Sequence, residues 1–267
     1  MLLAKKTIVV TGAGSGIGQQ LSLQLLQRGA NVAGIDINAA TLDETGRLAS
    51  SAPGEFKGFQ ADITDPNKVN SLPAEVLAHF GTVDGIINNA GIIQPFRRVL
   101  DLTIEDINRV MAVNFYGTLY LTKAFLPLLL ARPEAHIANV SSMGGFLPVP
   151  GQTLYGAAKA AVKLFTEGLY AELKDTHVKV TVVFPGAVAT NIMQNSGLNV
   201  PKADTAGASE FKPISPREAA GQILRAIEKD QFRVVIGRDA RAMDKLYRLN
   251  PKYAADLIQR KMRSLLG

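Results

Sequence analysis

Tyr155 and Lys159 stand four positions apart in the stretch YGAAK, and Tyr170 and Lys174 repeat that spacing in YAELK. On a helix this sets a phenol and an ammonium one turn apart on the same face. The chemistry open to such a pair is proton transfer. A phenol is too weak an acid–base near neutrality unless its pKa falls, and a nearby ammonium favours the phenolate. Ser142, thirteen positions before Tyr155, adds a hydroxyl able to polarise a substrate oxygen, whereas the matching position before Tyr170 is Ala157. Tyr155 is therefore the reactive candidate, and Tyr170 reads as part of a helix face.

The elements that must position these side chains follow from the apolar pattern. Strand-length runs at 7–12, 31–36, 56–62, 83–91, 136–142, 178–186 and 233–237 alternate with amphipathic helical segments near 16–28, 38–50, 66–80, 103–130, 153–175 and 216–229. The runs are rich in Val and Ile and mostly not alternating, as expected of strands covered on both faces. The prediction is an α/β fold: a Rossmann-type doubly wound parallel sheet of about seven strands with helices on both faces, a three-layer sandwich, in one domain over 1–267. Residues 190–215 lack periodicity and read as a substrate loop or lid. Order resumes at Ser215-Pro216-Arg217-Glu218, a capping box with Pro at the first helical position. Residues 238–267 are expected to form a basic helical tail of two helices, divided where Asn250 can cap and Pro251 can start the second.

The stretch TGAGSGIG (11–18) falls where the first strand meets the first helix. Residues without Cβ there let backbone amides and the helix N-terminus approach a phosphate. The G-x-G-x-x-G fingerprint is absent, and Gly12-x-x-x-Gly16-x-Gly18 takes its place. Asp36 ends the second strand, where a carboxylate can accept hydrogen bonds from an adenosine ribose and repels a 2′-phosphate. Neither Ser15 nor Ile37 supplies a compensating cation, so NAD is expected over NADP. Asp62, at the end of the third strand, could face adenine. With a nicotinamide carrying the hydride, the protein's own task is to move a proton, which Ser142, Tyr155 and Lys159 are equipped to do.

Beside this reading, the chain resembles the short-chain dehydrogenase/reductase family over roughly residues 5–190. T-G-x-x-x-G-I-G at 11–18, Asp62, N-N-A-G at 88–91, Asn114, Ser142, Tyr155-x-x-x-Lys159 and P-G-x-x-x-T at 185–190 appear in order. The resemblance implies Tyr155 as general acid/base, with Lys159 lowering its pKa and binding the nicotinamide ribose. It implies Ser142 on the substrate oxygen, Asn114 holding a relay water, and Gly12, Ser15, Gly16, Ile17 and Gly18 around the pyrophosphate. Ile63, Asn89, Ala90 and Gly91 are implied beside the adenosine half, and Pro185, Gly186, Val188 and Thr190 by the nicotinamide. Without it, Asn114 in MAVNFYGT reads as an ordinary helical Asn. Ser141 competes with Ser142, and the thirteen-residue spacing favours the latter. A homotetramer or homodimer through the helices near 103–130 and 153–175 is likewise implied.

The expected pocket collects Ile93 and Gln94 after N-N-A-G, and Met143, Phe146 and Leu147 after the serine. Val149 and Gln152 precede the tyrosine, and Met193, Leu198 and Phe211 come from the lid. Of these, Gln94, Ser142, Met143, Gln152 and Met193 are the substrate-contact candidates. Their mostly apolar character suggests a hydrophobic secondary alcohol or ketone. Arg97 and Arg98 read as a solvated rim pair.

Composition closes off other classes. There is no Cys among the 267 residues, so disulfides, thiolate zinc sites and thiol nucleophiles are excluded, and no metal site is expected. No apolar run is long enough to span a bilayer and no signal peptide is apparent, so a cytoplasmic protein is expected. The net charge of +6 lies wholly in residues 233–267, with nine Lys/Arg against three Asp/Glu. Arg241, Lys245, Arg248 and Lys252 form one helical stripe there, with Met243, Leu246 and Tyr247 between them. This reads as a solvated helix face rather than a nucleic-acid groove. Two alternatives stand beside the NAD enzyme: an NADPH-preferring carbonyl reductase, and a dinucleotide-binding sensor docking through the basic tail.

Overall fold

The computed structural model describes residues 1–198 and 213–262. Seven strands, β1 (Thr7–Thr11), β2 (Asn31–Asp36), β3 (Phe56–Gln60), β4 (Gly85–Asn88), β5 (Ala135–Val140), β6 (Val178–Pro185) and β7 (Arg233–Ile236), form one parallel sheet in the order β3-β2-β1-β4-β5-β6-β7. β1, β4 and β5 are buried at every residue, which is why their sequences run apolar without alternation.

Helices α1 (Gly16–Gln27), α2 (Ala39–Leu48) and α8 (Pro216–Glu228) cover one face. There Leu21, Leu25, Leu26, Ile223 and Leu224 pack with Ile8 and Val10. Helices α3 (Pro66–Phe80), α5 (Gly117–Leu130) and α6 (Thr153–Glu172) cover the other, where Leu72, Val76, Leu121, Phe125 and Leu169 pack with Val9 and Ile137. Ile8, Val9 and Val10 thus divide between the faces as strand geometry requires. Each such buried Leu or Phe contributes about 1.5–3 kcal/mol. Because the chain builds β1, β2 and β3 outward and then returns to place β4 on the other side of β1, a cleft opens beyond the C-terminal ends of β1 and β4.

The expected helix over 103–130 is divided. α4 (Ile104–Met111) passes through a π turn at Ala112–Tyr116 before α5 begins. The Gly117 amide bonds Ala112 O, an i to i−5 register, while the Asn114 side chain donates to Val110 O at 3.0 Å.

The stretch expected as a loop at 190–215 falls within the described residues at 190–198 and 213–215. It carries the single-turn α7 (Ile192–Asn195) and a bridge between Val188 and Ile214, while Phe211 lies outside the described residues. Ser215 Oγ accepts from the Glu218 amide at 3.1 Å and starts α8. The tail forms α9 (Arg238–Leu249) and α10 (Pro251–Lys261), with Asn250 Oδ1 accepting from the Tyr253 amide at 3.0 Å between them.

These tail helices pack on the loop that follows β5. Leu147, Ala254 and Ile258 form a third buried cluster, ringed by Met143, Phe146, Met243, Leu246 and Tyr247. Phe146 lies 5.5 Å from the Phe184 ring and 6.4 Å from Tyr247. Phe146 and Leu147, expected in the pocket, are thus turned under the tail, because an apolar face of the two helices is there to bury them. Among the described residues no helix is long and apolar enough to cross a membrane, and no group of three His, Cys, Asp or Glu is placed to hold a metal.

Candidate active site

At the end of β1, Gly12 adopts φ +67°, and a Cβ there would stand 3.0 Å from Asn89 Nδ2 and 3.1 Å from Ala90 Cα. Only glycine lets the β1 loop lie against the β4 loop in that conformation. Ser15 then enters α1 in extended geometry with no side-chain cap, so the amides of Gly16, Ile17 and Gly18 start the helix without a side-chain acceptor. This cradle fits a pyrophosphate. Asp36 Oδ2 accepts from the Gly14 amide at 3.0 Å and Oδ1 from the Asn38 amide at 3.1 Å. The carboxylate is therefore fixed beside the glycine loop and keeps acceptor capacity for ribose hydroxyls. Asp62 Oδ1 accepts both the amide and the hydroxyl of Thr64, at 2.9 and 2.7 Å. The Ile63 side chain is buried in the core on the α5 side, so only its backbone is available to a cofactor.

Thr11 organises the β4 end. Its Oγ1 accepts from the amides of Asn89 at 2.9 Å and Ala90 at 3.0 Å, and its carbonyl accepts from Asn89 Nδ2 at 3.0 Å. Gly91 follows, where a Cβ would stand 2.7 Å from Asn114 Oδ1 and 3.1 Å from Lys159 Nζ. Asn114 is held there by the β4 loop itself: Oδ1 accepts from the Ile92 amide at 3.1 Å and Nδ2 donates to Ile92 O at 2.8 Å. The structure thus brings Asn114, Gly91 and Lys159 together from three separate elements.

Lys159 is 4% exposed and donates to Val140 O, at the end of β5, at 2.9 Å. Burial lowers its pKa to about 8. Ser142 Oγ accepts from the Gly144 amide at 3.0 Å, and a Cβ on Gly144 would stand 3.5 Å from that oxygen and 3.4 Å from the Tyr155 ring, while Ser141 turns the other way and donates to Lys159 O at 2.7 Å. Ser142, not Ser141, therefore meets the phenol. Burial raises the pKa of Tyr155, and the Ser142 hydrogen bond opposes that rise. In the protein alone burial is the larger influence, so the Tyr155 pKa lies above the ordinary phenol value. Tyr170 is half exposed against the Phe232 ring at 4.3 Å, and Lys174 lies beyond the end of α6.

Beyond β6, the Gly186 amide bonds Ile236 O at 2.8 Å, and Ala187 donates to Asp239 Oδ2 at 2.7 Å. Pro185, Gly186, Val188 and Thr190 are placed by this pairing, with Thr190 N bonding Val188 O at 2.8 Å. Asn195 of α7 donates to Ser15 Oγ at 2.9 Å, and Ser196 Oγ accepts from the Ile93 amide at 3.0 Å. These bonds lay the segment that carries Met193 across the cleft. Gln94 is buried, with its side-chain amide bonded to the start of α6, so the substrate contact expected of it gives way to a contact with protein. Gln152 Nε2 donates to Gln94 O at 2.8 Å, and its Oε1 is buried without a partner.

Thr11 and Asp239 escaped the sequence reading as site residues. Thr11 had a signal, a hydroxyl on the last position of an apolar strand just before Gly12. Asp239 had a fainter one, an acid opening an otherwise basic helix.

Residues 6–200 match the short chain dehydrogenase family, adh_short. SadH of Mycobacterium tuberculosis, an oxidoreductase by assignment, is 39% identical over 255 residues, spanning 91% of this chain and 90% of its own. A Burkholderia phymatum short chain dehydrogenase/reductase solved with NAD matches at TM-score 0.85 and 25% identity, covering 95% of this chain and 96% of that one. A Sphingobium yanoikuyae short-chain dehydrogenase solved with NADPH matches at TM-score 0.77 and 26% identity, covering 94% and 95%. With a family match over residues 6–200, a relative 39% identical over 91% of its length and a shared fold, the chain belongs to the short-chain dehydrogenases/reductases, NAD(P)-dependent oxidoreductases.

Proposed function

We propose that this protein interconverts a secondary alcohol and a ketone with NAD, using Tyr155 as proton donor and acceptor. The single observation that carries this reading is the convergence of Ser142 and Tyr155 on Gly144, where a Cβ would stand 3.5 Å from Ser142 Oγ and 3.4 Å from the Tyr155 ring, beside the buried Lys159. A bound nicotinamide supplies or accepts the hydride. Tyr155 gives its phenolic proton to the carbonyl oxygen in reduction and regains one from the hydroxyl in oxidation. Ser142 steadies that oxygen by hydrogen bonding, where charge develops. Lys159 and Asn114, which both face Gly91 from the same side, pass the proton onward through water. Asp36 supports NAD over NADP, since a 2′-phosphate would meet its carboxylate and the following Ile37 and Asn38 carry no positive charge. Met193, on the segment laid over the cleft, favours an apolar substrate.

We propose in addition that the chain self-associates. Ile104, Tyr116 and Leu164, on α4, the π turn and α6, stay exposed in the single chain and offer an apolar face for a second copy.

Tyr155→Phe tests the mechanism. Turnover of an alcohol and ketone panel, followed at the reduced-nicotinamide absorbance, should fall about 10²–10⁴-fold while NADH binding persists. Retained turnover would overturn the assignment.

A further inference from the structure

The catalytic helix α6 lacks a local cap. Its N-cap position is Gln152, whose side chain makes no capping bond, although first-turn amides need acceptors and Ser, Thr, Asp or Asn usually supply them. The acceptor comes from the β4 loop instead. Gln94, 1% exposed, accepts at Oε1 from the amides of Leu154 at 2.7 Å and Tyr155 at 3.0 Å. Its Nε2 donates to Gly151 O at 2.8 Å, and its own carbonyl accepts from Gln152 Nε2 at 2.8 Å. The two glutamines clasp each other, and every one of these bonds ends on residues 151–155.

We propose that Gln94 is a positioning residue for Tyr155, capping the catalytic helix from a distance. Tyr155 is the third residue of α6, within the turn that frays most readily. Its phenol must keep a set distance to Ser142, and a misplacement near 1 Å costs about 10²-fold in rate. A serine at position 152 would satisfy the same amides but would tie the helix only to itself. Gln94 ties it to the loop that carries Gly91, against which Asn114 and Lys159 lie. The helix start is thereby held in register with the β4 side of the cleft.

This inference rests on the proposed role of Tyr155, so Tyr155→Phe accompanies the test. Gln94→Met keeps length and removes the acceptor, and Gln94→Glu keeps oxygens for the Leu154 and Tyr155 amides. In the full chain, Gln94→Met should lower kcat about 10–100-fold, with KM changed far less. NADH dissociation should stay within about threefold of wild type. Gln94→Glu should recover most of the lost kcat. A Gln94→Met enzyme with wild-type kcat, or equal losses in Met and Glu variants, overturns the positioning role. Should Gln94→Met fail to fold, Gln152→Met removes only the bond to the Gln94 carbonyl. It should then lower kcat by a smaller factor at unchanged NADH affinity, and unchanged kcat overturns the proposal. An inactive Tyr155→Phe beside a fully active Gln94→Met sinks the positioning role alone, whereas an active Tyr155→Phe sinks the mechanism beneath it.

Discussion

Asp239, in the first turn of α9, accepts a hydrogen bond from the Ala187 amide at 2.7 Å. The basic tail therefore grips the loop that bears Val188 and Thr190. Asp239→Ala leaves that half-buried amide unpaired, which costs about 1–3 kcal/mol. Thermal denaturation should show the loss, and NADH titration should show weaker binding. Wild-type values in both would mean that the loop stands without the tail. Truncation after Gly237 should be more severe, because it also uncovers Leu147 and removes Ala254 and Ile258.

Gly91→Ala places a methyl 2.7 Å from Asn114 Oδ1 and 3.1 Å from Lys159 Nζ. One of the two must move, and kcat should fall by about 10²-fold. Steady-state kinetics decide the matter, and a Gly91→Ala enzyme of undiminished kcat would show that the loop yields freely.

Lys159 sets a pH dependence of stability. Burial takes its pKa from 10.5 down to about 8 in the folded protein. Between those values the unfolded chain holds a proton that the native state has released, so this group makes stability rise with pH across that window. Below it the buried ammonium opposes folding. Lys159→Met should be inactive, at least as stable as wild type at about pH 7, and without the rise. Denaturant midpoints at about pH 7 and about pH 9.5 provide the comparison, and parallel curves for the two proteins would contradict it.

Asp36→Ser tests the dinucleotide preference. Losing the carboxylate removes acceptors for ribose hydroxyls and the repulsion of a 2′-phosphate. NADH affinity should drop about tenfold and the gap to NADPH should close. If the wild-type enzyme binds NADPH more tightly than NADH, the role given to Asp36 is wrong.

Much of this molecule is legible along the chain. Val- and Ile-rich runs locate every strand but the edge strand β3 (FKGFQ), because apolar burial leaves a composition that needs no partner to recognise. The Asn250–Pro251 break and the Ser215 cap are likewise local, since their hydrogen bonds close within three residues. Gly12, Asp36, Ser142, Tyr155 and Lys159 show themselves through spacing against those strand ends. The helix over 103–130 forms as its pattern predicts, but its π turn has no local signal, and Asn114 within that turn is bound on both sides of its amide by Ile92, a residue of another loop.

The two Tyr-x-x-x-Lys pairs are alike in spacing, and the strand-end serine already separates them in sequence. What the sequence could not supply is the set of bonds that hold the chosen pair in place. Gln94 reaches the Tyr155 amide across 61 positions, and Asp239 reaches Ala187 across 52. Such contacts leave no periodicity, because a side-chain amide or carboxylate finds its partner only after the sheet has brought distant loops to one edge. Strands, cradle and the Ser142–Tyr155–Lys159 set were written in the sequence; the cap on α6 and the clasp on the loop after β6 belong to the tertiary structure, where distance along the chain no longer counts.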